Sequence, residues 1–245
     1  MQTEQQSLRA AAGQRFWQID ALRGLALLNM LVYHAMYDWV YIFGHASGWY
    51  DIWSTHCHVW QQYICWSFIL LSGYSFTLSR RPLKNGLLTA ACAVVLTVAT
   101  AVAMPEEVIW FGVLHLLGVC MMLYPVYRRL PTPALAAIGI VLVVAGYLIA
   151  GTVVRAKFLF PLGLLYEGFT SSDYFPLLPH LGWYMLGTVL GRTVYADKKT
   201  RLPGTFRNSG IARFFCWCAR QSLFIYLLHQ PIVYGLLELI ASLRH

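Results

Sequence analysis

The sequence predicts an all-α, polytopic transmembrane helix bundle of about seven spans, with the N-terminus inside and the C-terminus outside. Three observations carry that prediction. Of 245 residues, 58% are hydrophobic and only 11% are charged, whereas a soluble domain carries about 25% charged residues. Seven stretches are mostly apolar over about 20 residues, the length a helix needs to cross a bilayer. Threading them alternately through a membrane puts fifteen of the eighteen Lys and Arg residues on one side, the asymmetry of the positive-inside rule. The apolar content argues against an ordinary cytosolic domain and excludes a disordered chain. The net charge of +8 does not read as nucleic-acid binding, because the bases form short clusters between apolar runs.

The spans are expected at 17–43, 58–79, 86–104, 109–127, 133–152, 177–196 and 222–241. Together they make one transmembrane domain over 1–245, with a cytoplasmic tail at 1–14 and the bundle at 17–241. The first run follows a polar stretch, contains Asp20 and Arg23, and has no small-residue cleavage site after it, so it is read as a retained span. The inner loops SRRPLKNG and YRRLPTP are short and basic, while the outer loops hold Asp51, Glu106, Glu107, Glu167 and Asp173. The outer connection between spans five and six runs to about 25 residues, a length often tied to function. Its FLFPLGLLYEGF segment reads as a re-entrant dip. GIARFFCWCARQS, short, basic and aromatic, reads as an interfacial helix on the inner leaflet. No internal repeat is evident, and the six cysteines read as structural thiols.

Ionisable residues inside a bilayer are costly and mark functional candidates. Asp20 and Arg23 are three apart on one helical face and can pair, either anchoring the helix or holding an anionic ligand. His34 and Asp38 are four apart toward the outer end of the same span, and His45 follows seven residues later. A carboxylate one turn from an imidazole can orient it and support general-base or nucleophilic chemistry. The alternative is that His34 and Asp38 merely satisfy each other in a polar core. His56 and His58, flanking Cys57, read as interfacial loop histidines, with no metal site expected. His115 lies mid-span in WFGVLHLLG, and His229 sits in IYLLHQPIVYG beside Pro231, which frees a backbone carbonyl. Asp173, Tyr174 and His180 surround Pro176 and Pro179 at the start of the sixth span, where they line an outer mouth or cap the helix.

Five blocks in order, IDALRGLALLNMLVYH, SFILLSGYSF, FGVLHLLGV, DYFPLLPHLGWYMLG and SLFIYLLHQP, resemble the heparan-alpha-glucosaminide N-acetyltransferase catalytic-domain family in its short bacterial form. The resemblance runs from about residue 15 to about residue 240. It implies a multi-pass acyltransferase of the inner membrane that takes acetyl from cytosolic acetyl-CoA, as co-substrate, and delivers it to an amino sugar or other glycan acceptor on the opposite side. Lysosomal members carry a functional histidine in a context like H-A-S-W-N-G, and GHASGW places His45 there. The pattern has Asn eleven residues earlier, where this chain has His34. The chain also lacks the additional spans and lumenal domain of those members.

On this resemblance, His45, His34 and Asp38 are the catalytic candidates, as base or acetyl carrier. His115, Asp173, Tyr174, His180 and His229 are expected at the acceptor, with His115, Tyr226 or His229 as an oxyanion donor. The Asp20–Arg23 pair and Arg80, Arg81 and Arg128 are expected at the CoA phosphates. The expected partners are the CoA thioester, a carbohydrate or other extracytoplasmic acceptor and the lipid bilayer, without metal or nucleic acid; a homo-oligomer is compatible with the sequence. The rival readings are a proton-coupled small-molecule transporter and a non-catalytic membrane assembly protein.

Overall fold

A computed structural model describes residues 17–79, 81–194 and 208–243. Regular structure among the described residues is helical, with extended pairing confined to two isolated bridges, Phe111 with Tyr174 and Val153 with Leu165. The α-helices are α1 (Trp17–Tyr37), α2 (Thr55–Phe76), α3 (Pro82–Ala103), α4 (Val113–Tyr127), α5 (Thr132–Ile149), α6 (Leu177–Val194), α7 (Gly210–Arg220) and α8 (Ser222–Ser242). Seven of them fall on the seven predicted spans, and α7 falls on the predicted interfacial helix.

Among the described residues, three helices, α3, α5 and α8, are long and apolar enough to cross a membrane, and α4 is a shorter apolar helix. The other long helices carry more polar residues: α1 holds Asp20, Arg23, Asn29 and His34, and α2 holds His56, His58, Gln61 and Gln62. Apolar side chains of α3 and α5 face outward, with Val102 and Leu148 both 79% exposed. A helix apolar all round and left uncovered suits hydrocarbon, not water.

Two of the shifted span limits have a visible local cause. The first continues past α1 not as α-helix but as a π-helical turn, Asp38–Ile42, in which Phe43 N–H donates to the Asp38 carbonyl five residues back, at 2.9 Å. The fourth starts at Val113, not at 109, because Phe111 pairs with Tyr174 and Phe175 N–H donates to the Phe111 carbonyl at 2.8 Å. That pairing keeps Phe111 out of the helix. The FLFPLGLLYEGF segment forms a 3₁₀ turn at Lys157–Leu162 and then irregular loop.

The chain forms two units. The first holds α1, the start of α2 to Phe68, α7 and α8. Here α7 packs along α1: a Cβ on Gly24 would overlap the Phe215 carbonyl, so only glycine admits this approach. Cys218 and Ala219 of α7 are buried, while Ile211, Phe214 and Trp217 are exposed. The second unit holds the rest of α2 with α3, α4, α5 and α6. Its helices also meet at small residues, Gly118 against Ala90 between α4 and α3, and Gly182 against Gly139 and Val143 between α6 and α5.

Candidate active site

The densest polar cluster of the first unit joins α1 and its π turn to α8. His34 Nδ1 lies 2.7 Å from His229 Nε2, with the rings stacked at 5.0 Å between centroids. His229 Nδ1 lies 2.7 Å from the Tyr226 carbonyl one turn earlier on α8. Asp38 is fully buried at 0% exposure, and its two carboxyl oxygens accept from Gln230 Nε2 at 2.8 and 3.0 Å. His34 and Asp38 therefore find their hydrogen-bond partners on α8 and not in each other. Their four-residue spacing aims both at one neighbour instead of closing a local pair.

Aromatic rings wall this cluster. Tyr33 packs edge-on to Tyr50 at 5.5 Å and to Trp60 at 5.2 Å. Trp60 Nε1 donates to Asn29 Oδ1 at 3.1 Å, and Tyr50 donates its hydroxyl to the Tyr33 carbonyl at 3.3 Å. Burial pushes the Tyr50 phenol above the usual tyrosine range. His229 also lines a groove of about 380 Å³ whose other walls include Leu31, Phe224, Leu228 and Ile232. A hydrophobic surround with few convergent polar groups is the usual character of a small-molecule site.

His45 follows the π turn. Its ring stacks on Trp39 at 3.7 Å between centroids, and Nδ1 donates to the Trp39 carbonyl at 3.2 Å. The carbonyl can only accept, so the Nδ1 proton is assigned by geometry, and Nε2 has no hydrogen-bond partner among the described residues. In the first third of α1, Arg23 Nη2 donates to Ser222 Oγ at 3.4 Å, across to the start of α8. Asp20 is half-buried one turn earlier on α1.

The second unit holds His115, Asp173, Tyr174 and His180. His115 uses both ring nitrogens: Nδ1 accepts from Gly112 N–H at 3.2 Å, and Nε2 lies 3.2 Å from Thr97 Oγ1. The Thr97 hydroxyl donates onward to the Ile109 carbonyl at 2.6 Å. Asp173 Oδ2 accepts from Val113 N–H at 3.0 Å, putting a carboxylate on the N-terminus of α4, where the helix dipole favours it. Tyr174 donates to the Phe160 carbonyl at 2.5 Å, and burial pushes its phenol up to about 12. His180 Nδ1 donates to the Pro176 carbonyl at 2.8 Å.

A pocket of about 300 Å³ in this unit is lined by Arg81, Pro82, Leu83, Lys84, Pro125 and Arg128. Arg192 closes the end of α4 nearby, donating from Nη1 to the Leu130 carbonyl and from Nη2 to the Arg128 carbonyl, both at 2.8 Å. It satisfies carbonyls that the helix end leaves open. Of the expected phosphate residues, Arg81 and Arg128 thus share one pocket with Lys84, and Arg80 lies outside the described residues. Among the described residues no group of three or more His, Cys, Asp or Glu side chains is arranged to hold a metal ion.

Sequence reasoning missed Gln230, Thr97 and Asn29. Each is an amide or hydroxyl within an apolar helix, which was the available signal. None of them titrates, so a search for ionisable residues passed over them.

The family model described as heparan-alpha-glucosaminide N-acetyltransferase, catalytic, matches residues 15–231. No curated protein and no solved structure matches the chain.

Proposed function

The chain belongs to the heparan-alpha-glucosaminide N-acetyltransferase catalytic family, and on that premise we propose that it is a multi-pass enzyme of the bacterial inner membrane. It moves an acetyl group from cytosolic acetyl-CoA to an amino sugar or other glycan acceptor on the far side. The observation that carries this reading is the family match over 15–231, which includes every described histidine and reaches His229 and Gln230 of α8. Seven helices cross the bilayer, with the N-terminus inside and the C-terminus outside.

The pocket of Arg81, Lys84 and Arg128 meets the phosphates of the donor. The charge and size of that pocket favour this use, since clustered guanidinium and ammonium groups are the usual partners of phosphate oxygens. Asp173, Tyr174 and His180 line the acceptor's approach. His34 and His45 supply the chemistry. One takes the amine proton as the amine nitrogen bonds to the acetyl carbon. The carbon–sulfur bond breaks with its electron pair going to sulfur, and the histidine returns the proton to the thiolate. Buried Asp38 favours the cationic histidine formed in between.

The test is thiol release from acetyl-CoA by the purified protein in lipid vesicles, with glucosamine as the acceptor probe. Wild type should release thiol in step with amine acetylation. His45→Ala should lower turnover by about 100-fold or more while leaving the protein monodisperse and its unfolding temperature unchanged. Undiminished turnover in that variant would remove His45 from the mechanism.

A further inference from the structure

The α8 histidine does more in this geometry than line a groove. A backbone carbonyl has no proton to give, so the 2.7 Å contact to the Tyr226 carbonyl requires a proton on His229 Nδ1. A neutral imidazole carries one ring proton, which leaves His229 Nε2 as a lone pair. That lone pair faces His34 Nδ1 at 2.7 Å. The proton of His34 must then sit on Nδ1 and be donated to His229, and its Nε2 is left without a proton. No hydrogen bond occupies His34 Nε2 among the described residues. His229 is only 7% exposed, so water does not compete for its two contacts.

We infer that His229 is a positioning residue which fixes the tautomer of His34, so that His34 Nε2 is the atom that accepts the acceptor's proton. The Tyr226 carbonyl orients His229, and His229 orients His34, in the manner of an outer partner that fixes a reacting imidazole through its far nitrogen. When His34 Nε2 binds the proton, the charge is spread through two short hydrogen bonds toward the carbonyl. Without the chain, an imidazole distributes its proton between both nitrogens, and much of the population would present an N–H where a lone pair is required. This inference rests on the acetyltransferase reading for its consequence, but not for its observable.

The experiment is nitrogen NMR of the full-length, histidine-labelled protein in lipid bilayers, with His34→Gln and His229→Gln used for assignment, alongside kinetics with acetyl-CoA. The expected wild-type spectrum shows Nδ1 protonated and Nε2 bare on His34, and Nδ1 protonated on His229. His229→Ala should move His34 to mixed tautomers. It should also lower kcat by about 100-fold, within the range for general-base catalysis, while KM for acetyl-CoA stays within about twofold. His229→Gln offers an amide oxygen as acceptor for His34 Nδ1 and should recover at least about tenfold of that loss. A protonated Nε2 on wild-type His34, or His34 signals unchanged in His229→Ala, overturns the inference. Should the wild type fail to turn over any acetyl donor, the functional reading falls while the spectrum still decides the tautomer.

Discussion

The contact between Asp38 and Gln230 can be weighed. One amide nitrogen reaches both carboxyl oxygens, at 2.8 and 3.0 Å, on a side chain with 0% exposure. Hydrogen bonds between helices in membranes average about 0.6 kcal/mol of coupling, with a maximum near 1.7 kcal/mol, because the unfolded chain also finds partners in the bilayer. Two features place this contact at the upper end. The acceptor is a carboxyl shared over two oxygens, which strengthens the bond, and its burial denies it water when the amide is lost. We therefore expect a coupling of about 1.5 kcal/mol, close to tenfold in the folding equilibrium. The assay is a double-mutant cycle of wild type, Asp38→Ala, Gln230→Leu and the double variant, unfolded reversibly in mixed micelles. Gln230→Leu alone should be the worse single change, since it strands the carboxyl in a dry site, and adding Asp38→Ala should restore part of the stability. Additive losses, with coupling below about 0.5 kcal/mol, would refute the claim that these two groups hold α8 to the end of α1.

Other expectations concern different parts of the molecule. Gly24→Val forces a side chain against the Phe215 carbonyl and should cost about 1–3 kcal/mol as an overpacked contact, read as a lower unfolding midpoint; an unchanged midpoint would mean α7 does not pack there. Replacing Arg81 and Arg128 together by Gln should weaken CoA binding by about tenfold or more in calorimetry, with the loss shrinking at high salt; intact affinity would take the phosphates elsewhere. Tyr174, whose phenol burial raises from 10.0 to about 12, stabilises the fold below pH 10 and loses that contribution as the pH rises through about 12. Tyr174→Phe should abolish that alkaline step in a denaturation series, and a step that persists assigns it to another group.

The helices were legible because the bilayer demands long apolar runs, and α3, α5 and α8 are such runs. The start of α4 was not, because its limit is set by residues 171–175 pairing with 108–111, some sixty positions away in sequence. His34, Asp38 and His229 stood out as ionisable residues among apolar ones. Their connections did not, because His34 meets a residue 195 positions later and helical periodicity reaches only a few residues. The four-residue spacing of His34 and Asp38 suggested a mutual bond that the structure replaces with two parallel bonds to adjacent residues of α8. His115, a lone histidine in an apolar helix, left a packed and a functional role equally legible, and its bonds with Gly112 N–H and Thr97 depend on residues that helical periodicity does not connect.

The π turn at Asp38–Ile42 changes what kinds of variation the region between His34 and His45 can absorb. A π turn accommodates one residue more than the α-helical turn it interrupts, so deleting a single residue there offers the backbone an ordinary α-helical route. Everything beyond would then swing round the helix axis and shift along it. Asp38 would leave Gln230 if the loss fell before it, and His45 would leave its seat on Trp39 if it fell after. The identities of Val40 and Tyr41 matter less than their number. In this stretch the length of the chain is itself the inherited quantity, and a homologue one residue shorter should be expected to have built its histidine site differently.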